Sequence, residues 1–116
     1  MRQNQIYITP FSQKNKFYAK FNIDSAVRFK FDFSSWSEEY SDISSIEFVS
    51  MLGSISVTDT TVTDNVCEPL LTFSQSGINI LSFTATSVNS EKYVGFLELY
   101  IYDAQNDYAD NLSYYY

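Results

Sequence analysis

The chain has 116 residues, 45% of them hydrophobic and 18% aromatic, with 7 Lys+Arg against 14 Asp+Glu and no histidine, for a net charge of −7. A chain of this length buries roughly two-thirds of its unfolded surface in one core, so it reads as a single acidic domain that needs no metal or disulfide to fold. Ten Phe, ten Tyr and one Trp carry too much apolar area for a disordered chain, and the lack of histidine removes imidazole bases, imidazole metal ligands and every Ser-His-Asp or Cys-His arrangement.

Charge is unevenly distributed. Residues 1–30 hold six basic side chains (Arg2, Lys14, Lys16, Lys20, Arg28, Lys30) and one acid, Asp24, a net of +5, while residues 31–116 hold Lys92 against 13 acids, a net of −12. The basic first segment is therefore complementary to the body of its own subunit or of a neighbour, and such fields set orientation and encounter rate. A pI near 4.2 argues against a nucleic-acid partner. Met1 to Gln5 contain no apolar run, and no stretch approaches the ~20 apolar residues of a membrane span, so the expectation is a chain that folds in a cytosol and has no membrane partner.

In chain order the first expected strand is residues 6–9, followed by a run in which Phe17, Ala19, Phe21 and Ile23 alternate with Tyr18, Lys20, Asn22 and Asp24. A bend at 22–25 precedes the clearest alternation of the chain, Val27, Phe29, Phe31 and Phe33 against Arg28, Lys30 and Asp32. Ser37, Glu38 and Glu39 have the form of a helix start, which places a short helical turn within 37–44. Further strands are expected at 45–49, 54–58, 70–74, 78–86 and 92–103. They are divided by turn-prone clusters at Thr58, Asp59 and Thr60, at Asp64 and Asn65, at 75–77 and at 88–91. Pro10 and Pro69 belong at strand starts or in loops, Gly53 and Gly77 at turns with positive φ, and Gly95 at a bulge or a close backbone approach.

In the last strand Leu97, Leu99 and Ile101 alternate with Phe96, Glu98, Tyr100 and Tyr102, so both faces are largely apolar or aromatic. That predicts a central strand whose second face is covered by another layer, a loop or another subunit. Together these signals predict an all-β fold: an antiparallel Ig-like β-sandwich at 17–103, with an extended N-terminal arm at 1–16 and a Tyr-rich C-terminal tail at 104–116. A β-barrel is the alternative. Lys14, Lys16 and Lys20 of the basic segment and Tyr108, Tyr114, Tyr115 and Tyr116 of the tail are the candidate interface residues, since tyrosine supplies contact area at low entropic cost.

The inventory for chemistry is thin. Glycines at 53, 77 and 95 form no phosphate-cradling loop, and Glu38, Glu39, Asp42 and Glu47 read as solvated acids rather than a glycosidase pair. Neither Asp59 with Asp64 nor Asp103, Asp107 and Asp110 has calcium-loop spacing, although a loop calcium stays open. Cys67, flanked by Asp64 and Glu68, is expected to be structural, because those acids would raise its pKa. The sequence thus points to no enzyme, no catalytic residue, no resident metal and no cofactor. Trp36 with Tyr40, and Tyr18 or Tyr93, offers a sugar-stacking alternative against the reading of Trp36 as a core plug.

The stretch from Val27 to Trp36, with Asp32, Phe33, Ser34 and Trp36, followed by Ile43, Ser45 and Phe48, resembles small tailed-bacteriophage virion proteins of the fibre-tail adaptor, Ig-like type. In that group an alternating apolar strand runs into Asp-aromatic-Ser-x-Trp, then a short turn, then Ile-x-Ser and an aromatic. Residues 76–87, Ser-Gly-Ile-Asn-Ile followed by Leu-Ser-Phe-Thr-Ala-Thr-Ser, are similar to the group's Gly turn and ladder strand. The likeness covers about residues 26–103; the group's second Gly before the ladder strand and its Gly-Arg in the last hairpin are not present here. Asp32, Phe33, Trp36, Ile43 and Phe48 are its fold-signature residues. The resemblance implies an Ig-like sandwich without catalysis that bridges other virion proteins in the tail or neck. The expected partners are tail, neck or fibre subunits and further copies of the chain, and the expected location is the virion, after assembly in the host cytoplasm. A head decoration protein and a carbohydrate-binding sandwich for host glycans are the alternatives.

Overall fold

The structure is a computed structural model that describes residues 4–11 and 14–103. Eleven strands and one short helix are found among the described residues: β1 (Gln5–Tyr7), β2 (Lys16–Asn22), β3 (Ala26–Arg28), β4 (Lys30–Asp32), α1 (Ser34–Glu39), β5 (Ile43–Leu52), β6 (Ile55–Thr58), β7 (Val62–Thr63), β8 (Val66–Cys67), β9 (Leu70–Phe73), β10 (Gly77–Ser87) and β11 (Lys92–Tyr102). They form an all-β sandwich. One layer is the four-stranded sheet β2-β11-β10-β5, and the other consists of two smaller sheets, β3-β9-β6 and β1-β4-β8-β7.

The core lies between these layers and is built from the alternation of the strands. Phe31 of the second layer meets Phe83 and Phe48 of the first, with ring centroids 4.8 and 5.3 Å apart, and Phe21 meets Phe29 and Phe73 at 5.7 and 6.1 Å. Leu71, Leu81, Leu97, Leu99 and Ile101 fill the remaining interior. Edge-to-face ring pairs suit the aromatic quadrupole and add to the area they bury.

The long run from Val27 to Phe33 keeps one face inward throughout, yet it is two strands rather than one. β3 pairs with β9 and β4 pairs with β8, so the hydrogen-bonding partner changes at Phe29. Pro69 stands opposite the break: it has no N–H to give to a ladder, and its carbonyl accepts from the Phe29 N–H at 2.9 Å. The bend expected at 22–25 is an Asx-type turn, in which the Asn22 side chain accepts from the Asp24 N–H at 2.9 Å.

Several features correct the sequence reading. The N-terminal segment does not project as an arm over residues 5–8: β1 runs parallel to β4, and Ile6 and Ile8 are buried in the core. The sandwich is also not wholly antiparallel, because β2 runs parallel to β11 in the opposite layer. Among the described residues, the chain up to Asn22 therefore contributes one strand to each layer, with Pro10 following the first of them. The helix begins earlier than expected, at Ser34, where the Asp32 carboxylate accepts from the Ser34 N–H at 2.9 Å; Ser37 lies inside it and donates to the Ser34 carbonyl. The short hairpin β7–β8 leaves no strand signal in the sequence, since two-residue strands show no period. Its turn residues Asp64 and Asn65 have φ of 51° and 66°, as a primed two-residue hairpin turn requires.

Candidate interaction surface

The inner face of β2-β11-β10-β5 is sealed, and its outer face carries the unexplained side chains. Register across the sheet sets them in rows: Lys20, Tyr100 and Ile78; then Tyr18, Glu98, Ile80 and Leu52; then Lys16, Phe96, Ser82 and Val49; then Val94, Thr84 and Glu47. A register shift between Ile80 and Leu81 leaves Met51 as an extra residue beside Leu52. Tyr18, Met51 and Leu52 are 63%, 60% and 50% exposed, and Val49, Ile78, Val94 and Tyr100 are each close to half exposed. Lys16, Tyr18, Met51, Leu52, Ile80, Phe96 and Glu98 line a groove of about 620 Å³ on this face. Farther along, Thr84, Thr86, Ser45 and Lys92 make the face polar, so the apolar area is a bounded patch.

Positive charge lies on one side of the patch. Lys16 and Lys20 project from the outer strand β2, whereas Glu47 projects from β5 at the opposite side and Glu98 from the middle. The Lys20 ammonium stands 5.4 and 5.2 Å from the ring centres of Tyr100 and Tyr102, which fix it against the face. Among the described residues, Lys16, Glu47 and Glu98 make no ion pair; the pair that is formed there, Arg28 with Asp59 at 2.8 Å, is exposed and lies in the other layer.

The other residues singled out from sequence fall elsewhere. Lys14 sits before β2, with its ammonium 5.5 Å from the Phe17 ring centre and its carbonyl accepting from the Tyr93 hydroxyl at 3.1 Å. Tyr108, Tyr114, Tyr115 and Tyr116 lie outside the described residues. Asp32 holds the helix start, Phe33, Trp36 and Ile43 are buried, and Phe48 is half-buried against Phe31. Their spacing thus has a structural explanation: strand β4 ends, the carboxylate starts a helix of six residues, and Trp36 plugs the end of the core. Trp36 packs edge-on to Phe33 and is covered by Tyr40, with ring centroids 4.6 Å apart, so it offers no open shelf for a sugar. Tyr93 packs on Phe33 and Phe83, and burial raises its pKa.

Groups considered for chemistry are dispersed or structural. Among the described residues no three potential metal ligands cluster. Cys67 is buried and unpaired, and desolvation together with Glu68 pushes its thiol up to about 11, far from a reactive thiolate. Asn65, which sequence reasoning marked only as a turn residue, accepts from the Ile43 N–H at 2.8 Å and donates to Asp42 at 3.2 Å, tying the β7–β8 turn to the start of β5. Sequence reasoning found the two-sided character of β11 but missed Met51, Leu52, Val49 and Ile80. Only the pairing register places these beside Phe96 and Tyr100.

No protein-family model and no curated protein sequence matches this chain. Among solved structures, a cysteine protease inhibitor from Entamoeba histolytica is similar, with a TM-score of 0.54 over 84% of this chain and 95% of that one at 8% identity. A 2,6-sialyltransferase from a Vibrionaceae Photobacterium aligns with a TM-score of 0.46 at 13% identity, over 78% of this chain and 18% of that one. At such identities the inhibitor shares the fold alone, and a fold of this kind hosts many unrelated functions.

Proposed function

We propose that this protein is a non-enzymatic structural subunit of a tailed-bacteriophage virion, an adaptor or fibre-attachment component of the tail or neck that joins neighbouring subunits through the outer face of β2-β11-β10-β5. The observation that carries the reading is the bounded apolar patch around Phe96, Ile80, Leu52 and Tyr18, rimmed by charge of both signs. An apolar patch with a polar border is the usual anatomy of a protein contact, since its burial releases water while the rim sets orientation. The virion assignment rests on the resemblance of residues 26–103, whose signature residues form the strand-to-helix plug described above. Burial of Trp36 weighs against the glycan-shelf alternative.

The test is sedimentation of tail and neck structures assembled in the presence of the tagged protein. The wild type is expected to travel with the assembled structures, and Leu52→Glu, with an unchanged melting temperature, to stay at the top of the gradient. A wild-type protein that never enters an assembled structure refutes the reading.

A further inference from the structure

The occupant of this face follows from its charge layout. We propose that the outer face of β2-β11-β10-β5 binds the same face of a second copy about a two-fold axis parallel to the strands, an inference that rests on the assembly reading above and names the partner of its surface.

A two-fold along the strands maps the β2 side of one copy onto the β5 side of the other. Lys16 of β2 then lies over the glutamate side of the partner: it stands opposite Val49, and Glu47 lies two residues farther along β5. That offset is about 6.8 Å along a strand, within the span of a flexible lysine stem across sheets ~10 Å apart. The symmetry produces the pair twice. A two-fold lying across the strands instead sets β2 on β2 in the reverse direction and, centred on the Tyr18 row, places Lys16 of each copy against Lys20 of the other, a like-charge arrangement that costs binding energy. The charges concerned are available, because among the described residues Lys16 and Glu47 make no ion pair within the subunit. Glu98, in the centre, stands opposite Tyr18, with Lys16 and Lys20 both diagonally beside it on the neighbouring strand.

Size agrees with a reversible dimer. Four strands and three apolar rows cover roughly 20 by 20 Å, and two such relief surfaces bury on the order of 1,200 Å² in total, the lower limit of specific interfaces and a size consistent with micromolar affinity.

The test uses the purified full chain, by sedimentation velocity from ~1 to ~100 μM. The wild type is expected to pass reversibly from monomer to dimer in this range, and to do so at higher concentration in ~0.5 M salt, where charge pairs are screened. Lys16→Glu and Glu47→Lys, both at exposed positions, are each expected to weaken the dimer about tenfold, and the double variant to recover most of the loss. A wild type that is monomeric throughout, as it would be if its own residues 104–116 covered the face, overturns the proposal. So do a dimer indifferent to Leu52→Glu and single variants whose defects add instead of cancelling. The two readings fail separately: entry into virion structures by a strictly monomeric protein sinks this dimer alone, whereas a dimer that never enters them sinks the virion role alone.

Discussion

Gly95 is the position at which the structure makes its sharpest demand on one side chain. It pairs with Phe83 across β10 and β11 in unbroken register, and a Cβ built there meets the Phe83 ring atoms Cζ, Cε2 and Cε1 at 2.4, 2.8 and 2.9 Å. The expectation of a bulge or a close approach is resolved as close approach. For Gly95→Ala the ring must retreat by about 1 Å to reach ordinary contact, but Phe83 is fully buried and boxed in by Phe31, Phe17 and Tyr93, with centroids 4.8, 6.1 and 6.1 Å away. A close-packed interior resists such a shift, so overpacking costs about 1–3 kcal/mol. The alanine also narrows the unfolded ensemble, which offsets about 0.4–1 kcal/mol, for a net loss of about 1–2 kcal/mol. Urea unfolding followed by the fluorescence of Trp36 reads this directly. Phe83→Leu removes all three contacting atoms, so in that background Gly95→Ala is expected to be close to neutral, giving an interaction energy of about 1–2 kcal/mol in the double-mutant cycle. A neutral Gly95→Ala in the wild type, or additivity within about 0.5 kcal/mol, would refute the steric argument.

Trp36→Ala is expected to cost about 3–5 kcal/mol by the same urea assay, read through tyrosine fluorescence or circular dichroism, because the ring is buried between Phe33 and Tyr40; a loss below about 1 kcal/mol contradicts its role as a core plug. Gly53→Ala should destabilise far more than Gly77→Ala. Both glycines have positive φ, 78° and 95°, but a Cβ at Gly53 meets the buried Asn79 amide, which accepts from the Ser54 N–H and donates to the Gln75 and Gly77 carbonyls, while a Cβ at Gly77 meets open space. About 1 kcal/mol is expected for Gly77→Ala from backbone strain, and at least twice that for Gly53→Ala. The Cys67 thiol has its folded pKa raised from 9.0 to about 11, so its contribution is intact below pH 9 and is lost as pH climbs towards 11, a span worth about 2–3 kcal/mol. The stability of the wild type relative to Cys67→Ala should therefore fall between pH 8 and 10.5, and a constant difference over that range would show that the thiol is not desolvated.

The sequence by itself determined the class of fold and which faces are buried. Alternation at Val27, Phe29, Phe31 and Phe33, and at Leu97, Leu99 and Ile101, is a local property of strands, and it survives in the structure as inward-facing side chains. Turn chemistry was equally legible at Gly53, Gly77, Asp64 and Asn65, because positive φ is a demand made by single residues. Pairing is different, since it depends on which strands meet after the chain closes. Nothing local in Gln5–Tyr7 or Lys16–Asn22 says that each runs parallel to its neighbour, or that they belong to opposite layers. Nothing in the Phe29 run shows that Pro69 will stand opposite and divide it. The candidate surface was half visible for the same reason. The apolar second face of β11 could be read from its own period, but Leu52, Ile80 and Tyr18 come from three other strands, and only the register sets them beside Phe96 and arranges Lys16 and Glu47 on opposite sides of the patch.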